Sequence, residues 1–409
     1  MKPEITDASR PLGRALTSLR GQARVPRLVA ALLGLTLATA ACGASPAQQV
    51  AAARAARSTA SHTSESPVLP RPTGPHAVGR TTLHLVDEHR PDPWVPSAGP
   101  RQLMVSTYYP ARPGSGGAAP YMTTEEARLF LQEKAPGVGI PAEALSGTRT
   151  YAHTGARPAP GRFPLVLLSP GLGFPRATLT GLSEDLASRG YVVALVDHTY
   201  ENSGTTFPDG RTLACAVCDE PPAGGPAAIA RSRAKDISFV IGRLTAHHPA
   251  WPYARMVDLR HIGMAGHSIG GNAAATTMAT DQRVRAGVNM DGTFNAPMPA
   301  TGLGHRPFLM FGAQHEVPGM DDTWGQAWSS LNGWKRWLTV VDSDHGTFTD
   351  MPVLSAWAGR PGSGISPQRA EEITRAYVGA FFDLHLKGIP QRLLDGPSPA
   401  DPEVTFQHP

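Results

Sequence analysis

The chain has 409 residues, 41% hydrophobic and 17% charged, enough apolar material for one large core or at most two domains. Its net charge of +4 is concentrated at the start: six of the 37 bases and two of the 33 acids fall in the first 41 residues, leaving 31 of each. A body of near-zero charge gives no electrostatic case for a nucleic-acid partner or for an anionic membrane surface.

The basic opening stretch leads into an apolar run, Leu28 to Ala41, and then Cys42-Gly43. A positive region, a short apolar region and small residues at its end describe a secretory signal peptide over residues 1–41. The run is too short to span a bilayer, which needs about 20 apolar residues. Leu37-Ala38-Thr39-Ala40-Ala41-Cys42 is also similar to a bacterial lipoprotein box, with Thr39 where that pattern usually has Leu. Two readings stand: lipidation of Cys42, which would hold the protein at a membrane surface, and simple cleavage near Ala40 or Ala41. Residues 42–75, rich in Ala, Ser, Pro and Thr, read as a flexible tether.

From about residue 80 strands and helices alternate. Thr81–Val86 and Leu103–Tyr108 read as strands. A capping-box-like Thr123-Thr124-Glu125-Glu126 opens a short helix bearing Leu129, Phe130 and Leu131. It reads either as a packed surface helix or as a lid or membrane-docking element over a site. Phe163–Leu168 is an apolar run of the kind buried on both faces. Leu179, Leu182 and Leu186 mark a helix that stops at Gly190, and Tyr191–Val196 is the next strand. A long Gly/Pro-rich loop holds Cys215 and Cys218, which in an exported chain read as a local structural disulfide rather than a redox or zinc pair.

Ile237, Val240, Ile241 and Leu244 line one helical face. His261–Ala265 leads into an Ala-rich helix, Gly270 to Thr280, followed by strands Val284–Met290, Arg306–Phe311 and Trp337–Val341. A final helix opens at Ser366-Pro367 and closes at Gly388, leaving residues 391–409 as a tail. Repeated strand–helix alternation predicts a doubly wound, mostly parallel α/β sheet with helices on both faces, one domain over residues 76–390.

Gly266-His267-Ser268-Ile269-Gly270 fits G-x-S-x-G and falls where a strand ends and a small-residue helix begins, the setting of a nucleophile elbow in an α/β hydrolase. A serine hydroxyl needs a base to take its proton. His345, just beyond the strand Trp337–Val341, meets that need, whereas His198, His247 and His248 read as structural or solvated. Position alone leaves Asp291 and Glu316 both open as the acid that orients the base. The N–H of Ile269 and that of Leu172, in Ser169-Pro170-Gly171-Leu172-Gly173, are the candidate oxyanion donors.

These motifs, with Asp185-Leu186-Ala187-Ser188-Arg189-Gly190-Tyr191-Val192-Val193, Met290-Asp291-Gly292 and His345-Gly346-Thr347-Phe348-Thr349-Asp350, resemble the platelet-activating-factor acetylhydrolase family across roughly residues 80–390. The resemblance implies the α/β-hydrolase fold, Asp291 rather than Glu316 as the acid, and an oxyanion hole from Leu172 and Ile269. It also implies catalysis without metal or cofactor, on short acyl esters or lipid esters. The family's usual His before Gly-Leu-Gly is Pro170 here, which alters the pocket wall. The expected protein is thus a secreted or surface-anchored bacterial serine esterase acting on a small-molecule or lipid ester. A lipase, cutinase or polyester hydrolase, a peptidase on the same fold, and a non-catalytic surface binding module are the rival readings.

Overall fold

In the computed structural model the described residues are 65–360 and 362–409. The signal segment 1–41, Cys42 and the tether as far as residue 64 lie outside them. The elements run β1 (Ala77–Pro91), β2 (Pro100–Ala111), β3 (Gly117–Ala118), α1 (Thr124–Lys134), α2 (Ala142–Ser146) and β4 (Ala152–Thr154). Then follow β5 (Phe163–Ser169), α3 (Thr180–Ser188), β6 (Val192–His198), β7 (Thr205–Thr206), β8 (Thr212–Leu213) and α4 (Gly225–Thr245). The chain continues through β9 (Val257–His267), α5 (Ile269–Thr280), β10 (Val284–Met290), β11 (Phe308–Gly312), α6 (Asp322–Ser330) and β12 (Lys335–Val340). It closes with α7 (Met351–Trp357), α8 (Pro367–Lys387) and β13 (Val404–Gln407).

Eleven strands form one sheet in the order β13-β12-β11-β10-β9-β5-β6-β2-β1-β4-β3. The six from β12 to β6 are parallel, flanked by antiparallel β13 and β2. The expected doubly wound architecture is therefore present. Alternation along the central strands explains the two-sided core. Leu165 and Leu167 face the layer holding Ile237, Ile241 and Ala273 of α4 and α5, while Val166 and Leu168 face Leu182 of α3 and Tyr377 and Phe381 of α8. The last helix has the predicted limits, with Ser366 Oγ accepting from Arg369 N and Gly388 closing it at φ 69°.

The chain runs from β5 outward to β6 and then returns to β9 on the other side of β5. That reversal makes the carboxyl ends of β5 and β9 a topological switch point, where open α/β sheets place their ligands. Ser169, ending β5, pairs with Gly266 near the end of β9. The motif loops Ser169–Gly173 and Gly266–Gly270 are thus brought side by side.

Two predicted boundaries are corrected. Residues 65–75 of the tether are packed: Leu69 is buried, Thr73 N and Oγ1 both bond Asp185 Oδ1 at 2.8 Å, and Arg375 holds the carbonyls of Pro70 and Arg71. A single anchoring Leu and carbonyl contacts leave no mark on composition. The tail 391–409 buries Leu394 and adds β13 to the edge, pairing Val340 with Val404, so Trp337–Val341 is not the last strand. Four residues among prolines are too few to show a period.

Candidate active site

Ser268 sits between β9 and α5 at φ 57° and ψ −126°, a backbone conformation that side chains rarely adopt and that presents the residue at the top of the sheet. The turn is possible only with glycine on either side. A Cβ on Gly266 would lie 2.1 Å from the carbonyl carbon of Gly270, and one on Gly270 would lie 2.0 Å from the carbonyl oxygen of Ser169. Ser268 N donates to Met290 O at 2.8 Å, which ties the elbow to the end of β10. Ser268 Oγ makes no hydrogen bond among the described residues.

Asp291 follows β10 and is buried, also at positive φ, 56°. Its Oδ1 accepts from Ala313 N at 2.6 Å, and its Oδ2 lies 2.6 Å from His345 Nδ1. A carboxylate only accepts, so Nδ1 carries the proton and Nε2 is left as the basic nitrogen. The Asp291 hydrogen bond raises the His345 pKa, opposed by partial burial. The side chain of His345 remains 55% exposed, open to an incoming molecule. Glu316 does not bond His345. It stays half-buried, Oε2 lacks a partner, and burial with the nearby charges of Asp291 and Asp321 lifts its pKa to about 7.

One contact was not anticipated. His267, wholly buried, lies with Nε2 2.6 Å from the backbone carbonyl of His345. A carbonyl only accepts, so Nε2–H donates and Nδ1 keeps its lone pair, buried and unpartnered. Burial and the neighbouring His345 push its pKa down to about 3, so it is neutral. The motif's x position held the signal, but nothing in the sequence shows where such a side chain reaches.

Near Ser268, the amides of Leu172 and Ile269 donate to no protein acceptor among the described residues. Their side chains share one apolar cluster with Val217, Ile229, Ala230, Ala296 and Trp94. Cys215 and Cys218 are disulfide-bonded with Cα atoms 5.6 Å apart, and the bond pins the loop carrying Val217 against this cluster. On the His345 side a cavity of about 450 Å³ opens, lined by Phe174, His345, Met351, Pro352 and Ile365 among others. Phe174 is held by Phe130 of α1 and by Lys134, whose ammonium lies 4.7 Å from the ring centroid. Helix α1 thus abuts the site through its C-terminal turn. Its predicted capping box is present between Thr123 and Glu126.

Among the described residues there is no group of three or more His, Cys, Asp or Glu side chains arranged to hold a metal ion. No helix among them is long and apolar enough to cross a membrane. His198, the other strand-end histidine, is sealed within the protein, with Nδ1 2.8 Å from Asp236 Oδ2 and Nε2 3.0 Å from Ser169 Oγ. That second Ser–His–Asp arrangement is closed to solvent and is structural.

Residues 62–210 match the family model of platelet-activating factor acetylhydrolase, isoform II. A solved ferulic acid esterase from Streptomyces cinnamoneus is 46% identical and superposes with a TM-score of 0.75, covering 84% of this chain and 100% of its own. The "Probable 1-alkyl-2-acetylglycerophosphocholine esterase" of Arthroderma benhamiae is 29% identical over 86% of this chain and 96% of its own length. The platelet-activating factor acetylhydrolase of Bos taurus is 28% identical over 32% of this chain and 35% of its own.

Proposed function

The chain belongs to the platelet-activating-factor acetylhydrolase family of α/β hydrolases and is a serine ester hydrolase; on that premise we propose that Ser268, His345 and Asp291 are its catalytic triad. The observation that carries this reading is the bond from His345 Nδ1 to Asp291 Oδ2, which leaves Nε2 basic; the strained turn that holds Ser268 at positive φ supports it.

The proposed reaction is acyl transfer through Ser268. Ser268 Oγ attacks the ester carbonyl as His345 Nε2 takes its proton. The oxyanion that forms accepts from the N–H groups of Leu172 and Ile269, where the N-terminus of α5 adds its dipole. The intermediate collapses, the alcohol leaves with the proton from His345, and water then releases the acyl group by the same route. Asp291 keeps the imidazole in the required tautomer and stabilises its charged form.

For the substrate, the similarity to a ferulic acid esterase supports an aromatic acyl ester, and the curated relatives support an acetyl ester of a glycerophospholipid. The cavity beside His345, about 450 Å³, is large enough for a small-molecule ester of either kind. The Cys215–Cys218 bond supports a working place outside the reducing cytoplasm, reached through the N-terminal segment, with Cys42 as the lipidation site of an anchored form. Hydrolysis of methyl ferulate, of an acetylated glycerophospholipid and of p-nitrophenyl esters from acetate to palmitate tests the reading, with Ser268→Ala alongside. Turnover of none of them by the folded protein contradicts it.

A further inference from the structure

Behind the loop that carries Leu172 lies a buried set of charges that the chemistry above does not use. Arg233 of α4 is 1% exposed and Glu201 is 0% exposed. Arg233 Nε bonds Glu201 Oε2 at 2.6 Å, and its Nη1 bonds both the carbonyl of Pro170 and, at 3.2 Å, Ser169 Oγ. Glu201 in turn accepts from Trp94 Nε1 at 2.7 Å and from Arg101 Nη2 at 3.1 Å, while its backbone carbonyl accepts from Gly173 N at 2.9 Å.

Resting on the assignment of Leu172 as an oxyanion donor, we propose that Arg233, locked to Glu201, is a positioning residue that aims the Leu172 N–H at the reacting carbonyl. Each peptide unit is planar, so holding its carbonyl fixes the direction of the N–H across the bond. Three consecutive units are held here. Arg233 fixes the 170–171 unit through the Pro170 carbonyl, and Glu201 fixes the 172–173 unit through Gly173 N. The unit between them contains the Leu172 N–H, and its carbonyl, that of Gly171, accepts from Phe174 N at 3.3 Å.

A buried ion pair is weak evidence for stability, because desolvation offsets its attraction. The same pair is well suited to orientation. The guanidinium is a rigid fork that reaches a carbonyl and a carboxylate together, which a lysine ammonium cannot do in the same geometry. Oxyanion donors act only when aimed at where charge develops.

The test compares Arg233→Lys and Glu201→Gln with the wild type, counting active sites with a fluorophosphonate and measuring kcat per titrated site, KM, and affinity for an alkylboronic acid that forms a tetrahedral adduct on serine. Arg306→Lys is the control, a buried arginine before β11 at the opposite end of the strands, where it holds the carbonyls of Met278 and Val284. The expected result for Arg233→Lys is a fall in kcat per site of about 10- to 100-fold. KM should stay nearly unchanged, and boronate affinity should fall by a similar factor. Glu201→Gln should fall in the same direction, and Arg306→Lys should lose thermal stability alone. Wild-type kcat per site and boronate affinity in Arg233→Lys overturns the proposal, even where the variant is less stable. Failure of the wild type to react with the fluorophosphonate at Ser268 overturns the hydrolase site itself, a separate outcome read in the same experiment.

Discussion

The carboxylate of Asp291 bonds His345 Nδ1 at 2.6 Å although their strands, β10 and β12, are not neighbours. The contact crosses the end of β11, where Asp291 also takes the Ala313 amide and gives its own N–H to Phe311 O. Asp291 is therefore fixed by the end of β11 as well as by the imidazole.

Replacing Asp291 by Asn should lower kcat by about 10⁴, because the amide no longer holds Nδ1–H. The hydrogen bond to Asp291 is also what raises the His345 pKa. Activity requires the neutral imidazole, so the wild-type pH–kcat/KM profile should rise with a midpoint above the ordinary histidine value. In Asp291→Asn that midpoint should move down. A profile that stays in place would separate the two residues.

Glu316→Gln should leave kcat/KM close to the wild-type value, since the carboxylate that bonds His345 is that of Asp291. Its stability effect should depend on pH. The folded-state pKa is raised to about 7, so its contribution is full below the ordinary glutamate value and is lost as pH rises toward 7. The Tm of the variant minus that of the wild type should therefore be more positive at pH 8 than at pH 5. A collapse of activity in this variant would make Glu316 the acid.

His267 gives the opposite sign. Its folded-state pKa lies near 3, set by burial and by His345, with Asp291 and Arg233 also facing it. The unfolded chain binds a proton near pH 6.5 that the folded chain refuses, so this contribution is full above that pH and falls as pH drops toward 3. Urea midpoints for His267→Gln should fall less steeply than those of the wild type between pH 6.5 and 5. Equal slopes would mean that His267 is charged in the native state.

Removing the disulfide with Cys215→Ala and Cys218→Ala should cost about 2 kcal/mol, as expected for a cross-link closing a short loop. Because Val217 packs with Ile269 and Leu172, kcat/KM should fall as well. Denaturant unfolding and steady-state kinetics would show both effects.

Much of this architecture was legible in the sequence. The apolar runs of β5 and β6, the Leu179–Leu186 and Ile237–Leu244 faces, and the caps of α8 all stand where their periods and end signals placed them. G-x-S-x-G read correctly as a strand–turn–helix because two glycines and a following Ala-rich run leave few other conformations. What stayed hidden depends on contacts distant in sequence. Arg233 and Glu201 meet Pro170 and Gly173 through tertiary packing alone, and no spacing rule links residue 233 to residue 170. Position left Asp291 and Glu316 open, since both follow strands on the correct edge, and only the reach of the His345 loop distinguishes them. β13 was missed for a simpler reason: its four residues are ordered by the edge of β12 rather than by their own pattern.

Whether Ser268 carries the acyl group is decided by trapping the acyl-enzyme from a slowly deacylated aryl ester and locating the adduct by peptide mass. A single acyl group on the peptide containing Ser268, absent from Ser268→Ala together with about 10⁶-fold of the activity, is the result expected. An adduct elsewhere, or a Ser268→Ala variant that still hydrolyses the ester at the wild-type rate, would contradict it.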